Sequence, residues 1–547
     1  MMRKFTLFHF LCFISLLFAL SGQSSFFSQE YFVAQSLGLF LLSLLLITRW
    51  TYNSLKKIEF ISIVIVASIA NWFSHDLNIN IPLLNFFICG GVFLSLVAGD
   101  SDEFNFWKKA IISISLIQAL IVAPTLIPTI KAFFPIFNNE PLGTVGNSDF
   151  LAILFASSIF YALELKISKS WRNTIILIFS LSLLATMSKG TILVFVLILL
   201  FKRWPRVVCY SLFPIGLIFT FLFSHSLFGR LQLWITALKI WKNNFWFGSG
   251  TGQFSSAYFN ANKELMNLNW YKNFFGAWSS QVTDAHNLLL HWSSEWGVIG
   301  LIASVLFLSF LFLSLKKSKE ASKDVILLSL IKSLYTVLIP TIQGLLTLCF
   351  ALSDANKENS FIKKSKVLPA VCLFSILTLS GFMFNFVSSQ YFLKRGLILS
   401  KVGYFDSSLE NLMNANLLYK NDTNILLTTA YVNSRLGNCD QATAEVNIVS
   451  NLRQDMDSFK RGGHILFDCK KYDKALRLFS DIHLVFPEHR TTTMKMAWIY
   501  YFLWDNTTAK KLAREVLKLQ PRRKSFSDER NLNEANDLLK LITNRHR

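Results

Sequence analysis

The chain has 547 residues, 52% of them hydrophobic and only 16% charged. Soluble proteins of this size carry roughly a quarter charged residues, so an ordinary soluble enzyme is excluded. The net charge of +21 would point to nucleic acid in a soluble chain. Here Lys and Arg sit in short loops between apolar runs, where they orient membrane spans, and a nucleic-acid partner is set aside.

Arg3 and Lys4 precede the apolar run 5–20, which resembles a signal peptide but lacks a clear small-x-small cleavage site. It reads as a retained first span. Further spans are expected near 31–48, 60–74, 82–98, 109–130, 149–165, 173–187, 190–201, 206–224, 286–314, 325–339, 341–354 and 367–389. The stretch 325–354 is one long helix or two short ones broken at Ile339–Pro340, since proline removes a backbone donor. The basic segment with Lys357, Lys363, Lys364 and Lys366 belongs inside only if that stretch crosses twice. The positive-inside rule then gives about 12–13 spans, with the residues after 389 outside.

The longest loop, 225–285, also falls outside and is net basic through Arg230, Lys239, Lys242, Lys263 and Lys272. Either it meets an anionic ligand or it is an amphipathic helix lying on the membrane. Five of the seven cysteines lie in apolar spans. Cys439 and Cys469 lie in the polar tail, where an oxidising compartment would let them bridge if they are close enough.

The tail, 390–547, repeats itself. Gly403, Gly437, Lys470 and Trp504 are spaced 34, 33 and 34, and Pro487 and Pro521 are 34 apart. That period, with small residues at helix contacts, is tetratricopeptide-like and implies stacked helix pairs able to dock a protein partner. The expected fold is therefore all-α: a polytopic membrane bundle over 1–389 with the long loop 225–285, then an α-solenoid over 390–547.

Three segments carry candidate chemistry. Arg230, Trp234, Ala237 and Trp241 share helical spacing before Gly248, Gly250, Gly252 and Phe254. These glycines match neither a P-loop nor a dinucleotide fingerprint, and alone they read as turns. His286-Asn287 opens a span at its outer end, followed by His291, Glu295 and Gly297. A histidine at the water–membrane boundary can take a proton from a hydroxyl, although a lone one is more often a polar cap. His286 and His291 stand five apart, which is not the spacing of a helical metal pair, and no metal or other cofactor is expected. Asn147 opens another span, and Ser188-Lys189-Gly190 forms an outer turn. A cation there is a functional candidate or a snorkelling anchor.

Together these segments resemble the O-antigen ligase/polymerase superfamily. The resemblance lies in Arg230, Trp234, Ala237, Gly248, Gly250, Gly252, Phe254, His286, Asn287, Glu295 and Gly297, and its specific part spans about 150–300. Some members carry tetratricopeptide-like tails. The resemblance implies a bacterial inner-membrane enzyme that moves a glycan from undecaprenyl pyrophosphate to an acceptor hydroxyl on a glycolipid. His286 would be the base and Arg230 and Lys189 the pyrophosphate ligands, facing the periplasm, with Trp234, Gly250, Gly252, Asn287, Glu295 and Asn147 as support. The family has Ser-Arg-Gly where this sequence has Ser188-Lys189-Gly190, so the second phosphate ligand loses its bidentate fork. Transfer to protein, or polymerisation of the glycan, is the alternative within the superfamily. A lipid-linked glycan transporter is the alternative outside it, but the sequence lacks the duplicated halves common in transporters.

Overall fold

The computed structural model describes residues 7–21, 30–55, 57–73, 81–98, 101–122, 148–203, 225–275, 282, 284–318, 320–335, 342–356, 365–519 and 526–545. Every regular element among them is a helix. Helices stand at the expected spans, apart from 206–224, which lies outside the described residues. The stretch 325–354 holds two helices, Glu320–Tyr335 and Ile342–Ala355; Ile339 and Pro340 lie outside the described residues. Asn105–Val122, Leu288–Lys317 and Val367–Lys401 are long and apolar enough on their own to cross a bilayer.

The chain divides into two compact units. One comprises Met1–Leu222, His286–Leu289 and Ile302–Tyr391; the other comprises Phe223–Ala285, Leu290–Leu301 and Phe392–Arg547. The position near 390 where composition changes falls inside the continuous helix Val367–Lys401.

In the first unit, apolar helices pack through small residues and interlocking rings. A Cβ on Gly91 would stand 2.8 Å from Ile47 Cδ1, so glycine lets the two helices approach. Phe155 stacks on Phe179, and Phe160 packs on Phe195. Polar side chains gather where spans end. Lys108 pairs with Glu164, whose other oxygen accepts the Ala321 amide at 2.9 Å. Lys202 pairs with Asp324 and, at 3.3 Å, with Glu320, while Ser322 donates to Asp354 at 2.8 Å. These are span ends that the charge pattern assigns to one side. Pairing them satisfies charges that lipid cannot solvate.

In the second unit, helices begin at Phe405, Cys439, Tyr472 and Asn506, reproducing the 34, 33, 34 period. Their partners are Thr423–Arg435, Met456–Asp468 and Arg490–Phe502. The four periodic sequence anchors have one conformational job. Gly403, Gly437, Lys470 and Trp504 all take positive φ, at 88°, 85°, 58° and 68°. After each, an amide reaches back five residues: Tyr404 to Leu399, Asn438 to Asn433, Lys471 to Leu466 and Asp505 to Tyr500, at 2.9–3.0 Å. This is a Schellman turn, which ends one helix and launches the next. Asp422, Asp455 and Asp505 then cap helix N-termini with their carboxylates.

Buried alanines repeat too: Ala442, Ala475 and Ala509 on first helices, Ala430 and Ala497 on second helices, with Gly463 in register between the latter two. Cys439 and Cys469 form a disulfide with their Cα atoms 5.5 Å apart.

Candidate functional site

The loop 225–285 folds as three helices, His225–Asn243, Phe254–Met266 and Asn269–Phe275. A buried polar chain knits them: Tyr271 donates to Asn262 Oδ1 at 2.8 Å and lies 3.0 Å from Thr236 Oγ1. Burial pushes the Tyr271 phenol up to about 12, so it stays a donor at physiological pH. The same helices share a hydrophobic core with the repeats. Phe259 meets Phe459 and Phe486 at ring separations of 5.3 and 6.0 Å. Leu233, Ala237 and Ile240 lie in this core, and Trp234 packs against it. Lys263 pairs with Asp481, and Ser255 donates to Asp455 at 3.4 Å. A helix resting on a membrane surface would leave its apolar face for lipid; here that face is buried against protein.

The glycine-rich segment is zipped onto residues 294–298. Ser249 and Gly250 amides donate to the Ser294 and Glu295 carbonyls, and the Val298 amide donates to Phe245, each at 2.9 Å. Gly248, Gly250 and Gly252 have φ of 71°, 98° and 74°, a region open chiefly to glycine. A Cβ on Gly248 would collide with the Glu295 carbonyl. Gly297 (φ 63°, ψ −142°) breaks helix Leu288–Lys317, and a Cβ there would collide with the Trp246 carbonyl.

The Glu295 carboxylate, 5% exposed, reaches across this junction. Its Oε1 accepts the amides of Gly252 (3.0 Å) and Phe254 (3.3 Å), filling the N-terminus of helix Phe254–Met266 with negative charge. His291 Nε2 lies 3.8 Å from Glu295 Oε2. The Trp296 indole donates to Thr251 at 3.0 Å. The G-x-G-x-G and E-x-G elements are thus two halves of one latch, and its anion is supplied by the chain itself.

Arg230 is half-buried on helix His225–Asn243, one turn before Trp234. His286, also half-buried, precedes helix Leu288–Lys317 with Asn287 and has φ of +49°. That left-handed backbone costs a non-glycine residue roughly 1–2 kcal/mol, and such strain gathers at functional positions. Lys189 is the first residue of helix Lys189–Arg203. Asn147 lies outside the described residues.

The turn before Lys189 is tied by buried hydroxyls. Ser188 donates its amide to Thr186 Oγ1 at 3.3 Å and its hydroxyl to Thr191 at 2.9 Å. Lys332, 1% exposed, donates to the same Thr191 Oγ1 at 2.9 Å. Lys332 is absent from the expected site, although a lone lysine in the apolar run 325–339 is itself a signal. His291, beside Glu295, is likewise not among the expected site residues. Among the described residues, no cluster of three or more potential metal ligands exists.

The family model described as "O-Antigen ligase" matches residues 142–305. No curated protein matches the sequence. Among solved structures, the crystal structure of the APC/C hetero-tetramer Cut9-Hcn1 aligns at 13% identity, covering 94% of this chain and 85% of that one, with a TM-score of 0.24. The matched residues 142–305 contain Lys189, Arg230, the glycine latch, His286 and Glu295, and they lie in a chain whose described residues form only helices, three of them long and apolar enough to cross a membrane, with tetratricopeptide-like repeats.

Proposed function

We propose that this chain transfers a glycan from undecaprenyl pyrophosphate to an acceptor hydroxyl at the periplasmic face of a bacterial inner membrane. The observation that carries the reading is the ligase-family match across the segment holding Lys189, Arg230 and His286. Arg230 and Lys189 neutralise the pyrophosphate, and the planar fork of Arg230 pairs with two phosphate oxygens. The acceptor oxygen attacks the anomeric carbon as the bond from that carbon to the pyrophosphate oxygen breaks. The bonding pair leaves with the pyrophosphate, whose growing charge the cations stabilise. The hydroxyl proton passes to the His286 imidazole. No strong acid is needed at the leaving group. The latch does not serve as the phosphate cradle, because Glu295 already occupies its amides.

Two observations support the periplasmic assignment. Basic residues are concentrated in the loops on the opposite side, and a Cys439–Cys469 disulfide belongs in an oxidising compartment.

The test is complementation of a deletion strain, followed by glycan analysis of lipopolysaccharide and of envelope proteins. His286→Asn keeps a residue that tolerates left-handed backbone but removes the base. It is expected to abolish transfer at normal membrane abundance. Arg230→Ala should do the same, and Arg230→Lys should retain part of the activity. Full transfer by His286→Asn refutes the base assignment. The acceptor is read from which glycoconjugate disappears on deletion.

A further inference from the structure

A cleft of about 380 Å³ opens between helices His225–Asn243 and Phe254–Met266 and the repeat turn at 451–454. Its volume is within the range of small-ligand sites, about 300–1,000 Å³. The lining is unusual for this apolar chain: it includes the carboxamide residues Asn243, Asn244, Gln253, Asn260, Asn451 and Gln454, of which Asn243 donates to Glu264 at 3.5 Å and Asn244 to the Ile240 carbonyl at 3.3 Å. Ser249 and Ser256 add hydroxyls, and Ile240, Ala257, Ala261 and Leu452 supply an aliphatic floor.

The cleft is built rather than incidental. Its walls are fixed by Ser255–Asp455, by Lys263–Asp481 and by the Phe259–Phe459 ring contact. Asp455 also caps its own helix through the Ser458 amide at 2.9 Å and pairs with Arg453. Within this frame, the side chains of Gln253, Ser256, Asn260, Asn451 and Gln454 make no hydrogen bond to another described residue. Glu264, the one carboxylate in the lining, is held low by Lys239 at 2.9 Å and is already neutralised.

Carboxamides offer donors and acceptors in equal supply, which suits ligand hydroxyls that both donate and accept. A neutral cleft with an aliphatic floor fits sugar rings, which combine hydroxyl edges with apolar C–H faces. Arg230, in the second turn, and Asn243, at the last position, lie on one helix, thirteen residues and roughly 20 Å apart. We propose that this carboxamide cleft is a subsite for the distal sugars of the lipid-linked glycan. The inference rests on the reading that Arg230 holds the pyrophosphate, from which the glycan runs along the helix. Binding energy gained there, remote from the reacting carbon, selects glycans long enough to reach the cleft.

The experiment uses full-length protein in detergent and the oligosaccharide released by mild acid from the host's lipid-linked pool. The triple variant Asn260→Ala, Asn451→Ala, Gln454→Ala changes side chains lining the cleft mouth, and the single variants replace it should the triple not accumulate. Binding of the free oligosaccharide should weaken at least tenfold. The preference for the full-length lipid-linked donor over a single-sugar donor, read as a ratio of KM values, should fall similarly. Unchanged oligosaccharide binding overturns the proposal. Loss of binding to tryptic peptides of host envelope proteins, with oligosaccharide binding intact, also overturns it and makes the cleft a peptide site. Should Arg230→Ala still transfer both donors while the cleft variants lose oligosaccharide binding, the pyrophosphate reading fails and the subsite stands on its own.

Discussion

Glu295 Oε1 accepts the backbone amide of Gly252 at 3.0 Å, across 43 residues of chain. The contact gives the glycine and glutamate motifs one physical purpose. The glycines let the backbone turn back onto residues 294–298, and the carboxylate closes the join. Hydrogen bonds to a charged group contribute about 1.5–3 kcal/mol each when buried. Glu295→Ala should therefore free the 244–254 segment, seen as faster limited proteolysis there, with transfer falling by an order of magnitude or more. Glu295→Gln, which keeps a carbonyl oxygen as acceptor, should lie between wild type and alanine. Unaltered proteolysis in Glu295→Ala would show that the zipped backbone alone holds the loop.

Lys332 holds the Ser188-Lys189-Gly190 turn from a different helix, through Thr191. Removing a charged donor from that chain should cost roughly 10- to 100-fold in transfer, the equivalent of about 1.5–3 kcal/mol. Lys332→Met should raise the KM for the lipid-linked donor, and Thr191→Val should have an effect of the same size, because the two share one hydrogen bond. Lys332→Arg should recover part of the loss. A silent Thr191→Val beside an impaired Lys332→Met would mean that the lysine acts without the turn.

The helical class, the helix positions among the described residues and the repeat were legible because each is written in periodicity and charge. The repeat anchors Gly403, Gly437, Lys470 and Trp504 could be found by spacing alone, but spacing did not reveal that all four are left-handed turns. The latch was illegible for a different reason. Nothing local to Gly252 says that its amide meets a carboxylate on a later helix; tertiary contact decides that. The loop's basic charge left an anion site and a membrane-surface helix equally open. The shared core of Leu233, Phe259 and Phe459 buries the face that the membrane alternative needed. Lys332 was visible in the sequence, but its partner Thr191 was not.

Gly463 faces the ring of Phe479, and a Cβ there would stand 2.7 Å from Cζ. The positions in register with Gly463 are Ala430 and Ala497, and those in register with Phe479 are Val446 and Ala513. The glycine therefore compensates a larger partner. Gly463→Ala should destabilise the repeats by about 1–3 kcal/mol through overpacking. The double variant Gly463→Ala, Phe479→Val should be less destabilised than the sum of its two single variants. Additive effects in that cycle would deny the coupling. Lys470→Gly should act in the opposite direction. Relieving φ of 58° gains roughly 1–2 kcal/mol and the freedom of glycine costs roughly 0.5–1, for a net gain of up to about 1.5 kcal/mol.

Two groups in the repeats titrate in opposite senses. Burial pushes the Glu445 carboxyl up to about 7, opposed only by the Asn433 amide, which donates to both its oxygens at 3.2 Å. Burial, with Lys495 and Lys460 nearby, pushes His464 down to about 4. Unfolded, these groups titrate near 4.3 and 6.5. For Glu445 the folded state binds the proton more tightly, so its contribution to stability is full below about 4.3 and is lost as pH rises to about 7. For His464 the unfolded state binds the proton more tightly, so its contribution is full above about 6.5 and is lost as pH falls to about 4. The two slopes oppose each other between about 4.3 and 6.5, so the wild-type unfolding midpoint conceals both. Single variants separate them. The midpoint of Glu445→Gln relative to wild type should climb as pH is raised from 4 to 8. That of His464→Gln should climb as pH is lowered from 7 to 4. Differences that stay flat with pH would place both side chains in water, and the packing of helices Cys439–Leu452 and Met456–Asp468 against their neighbours would need redrawing.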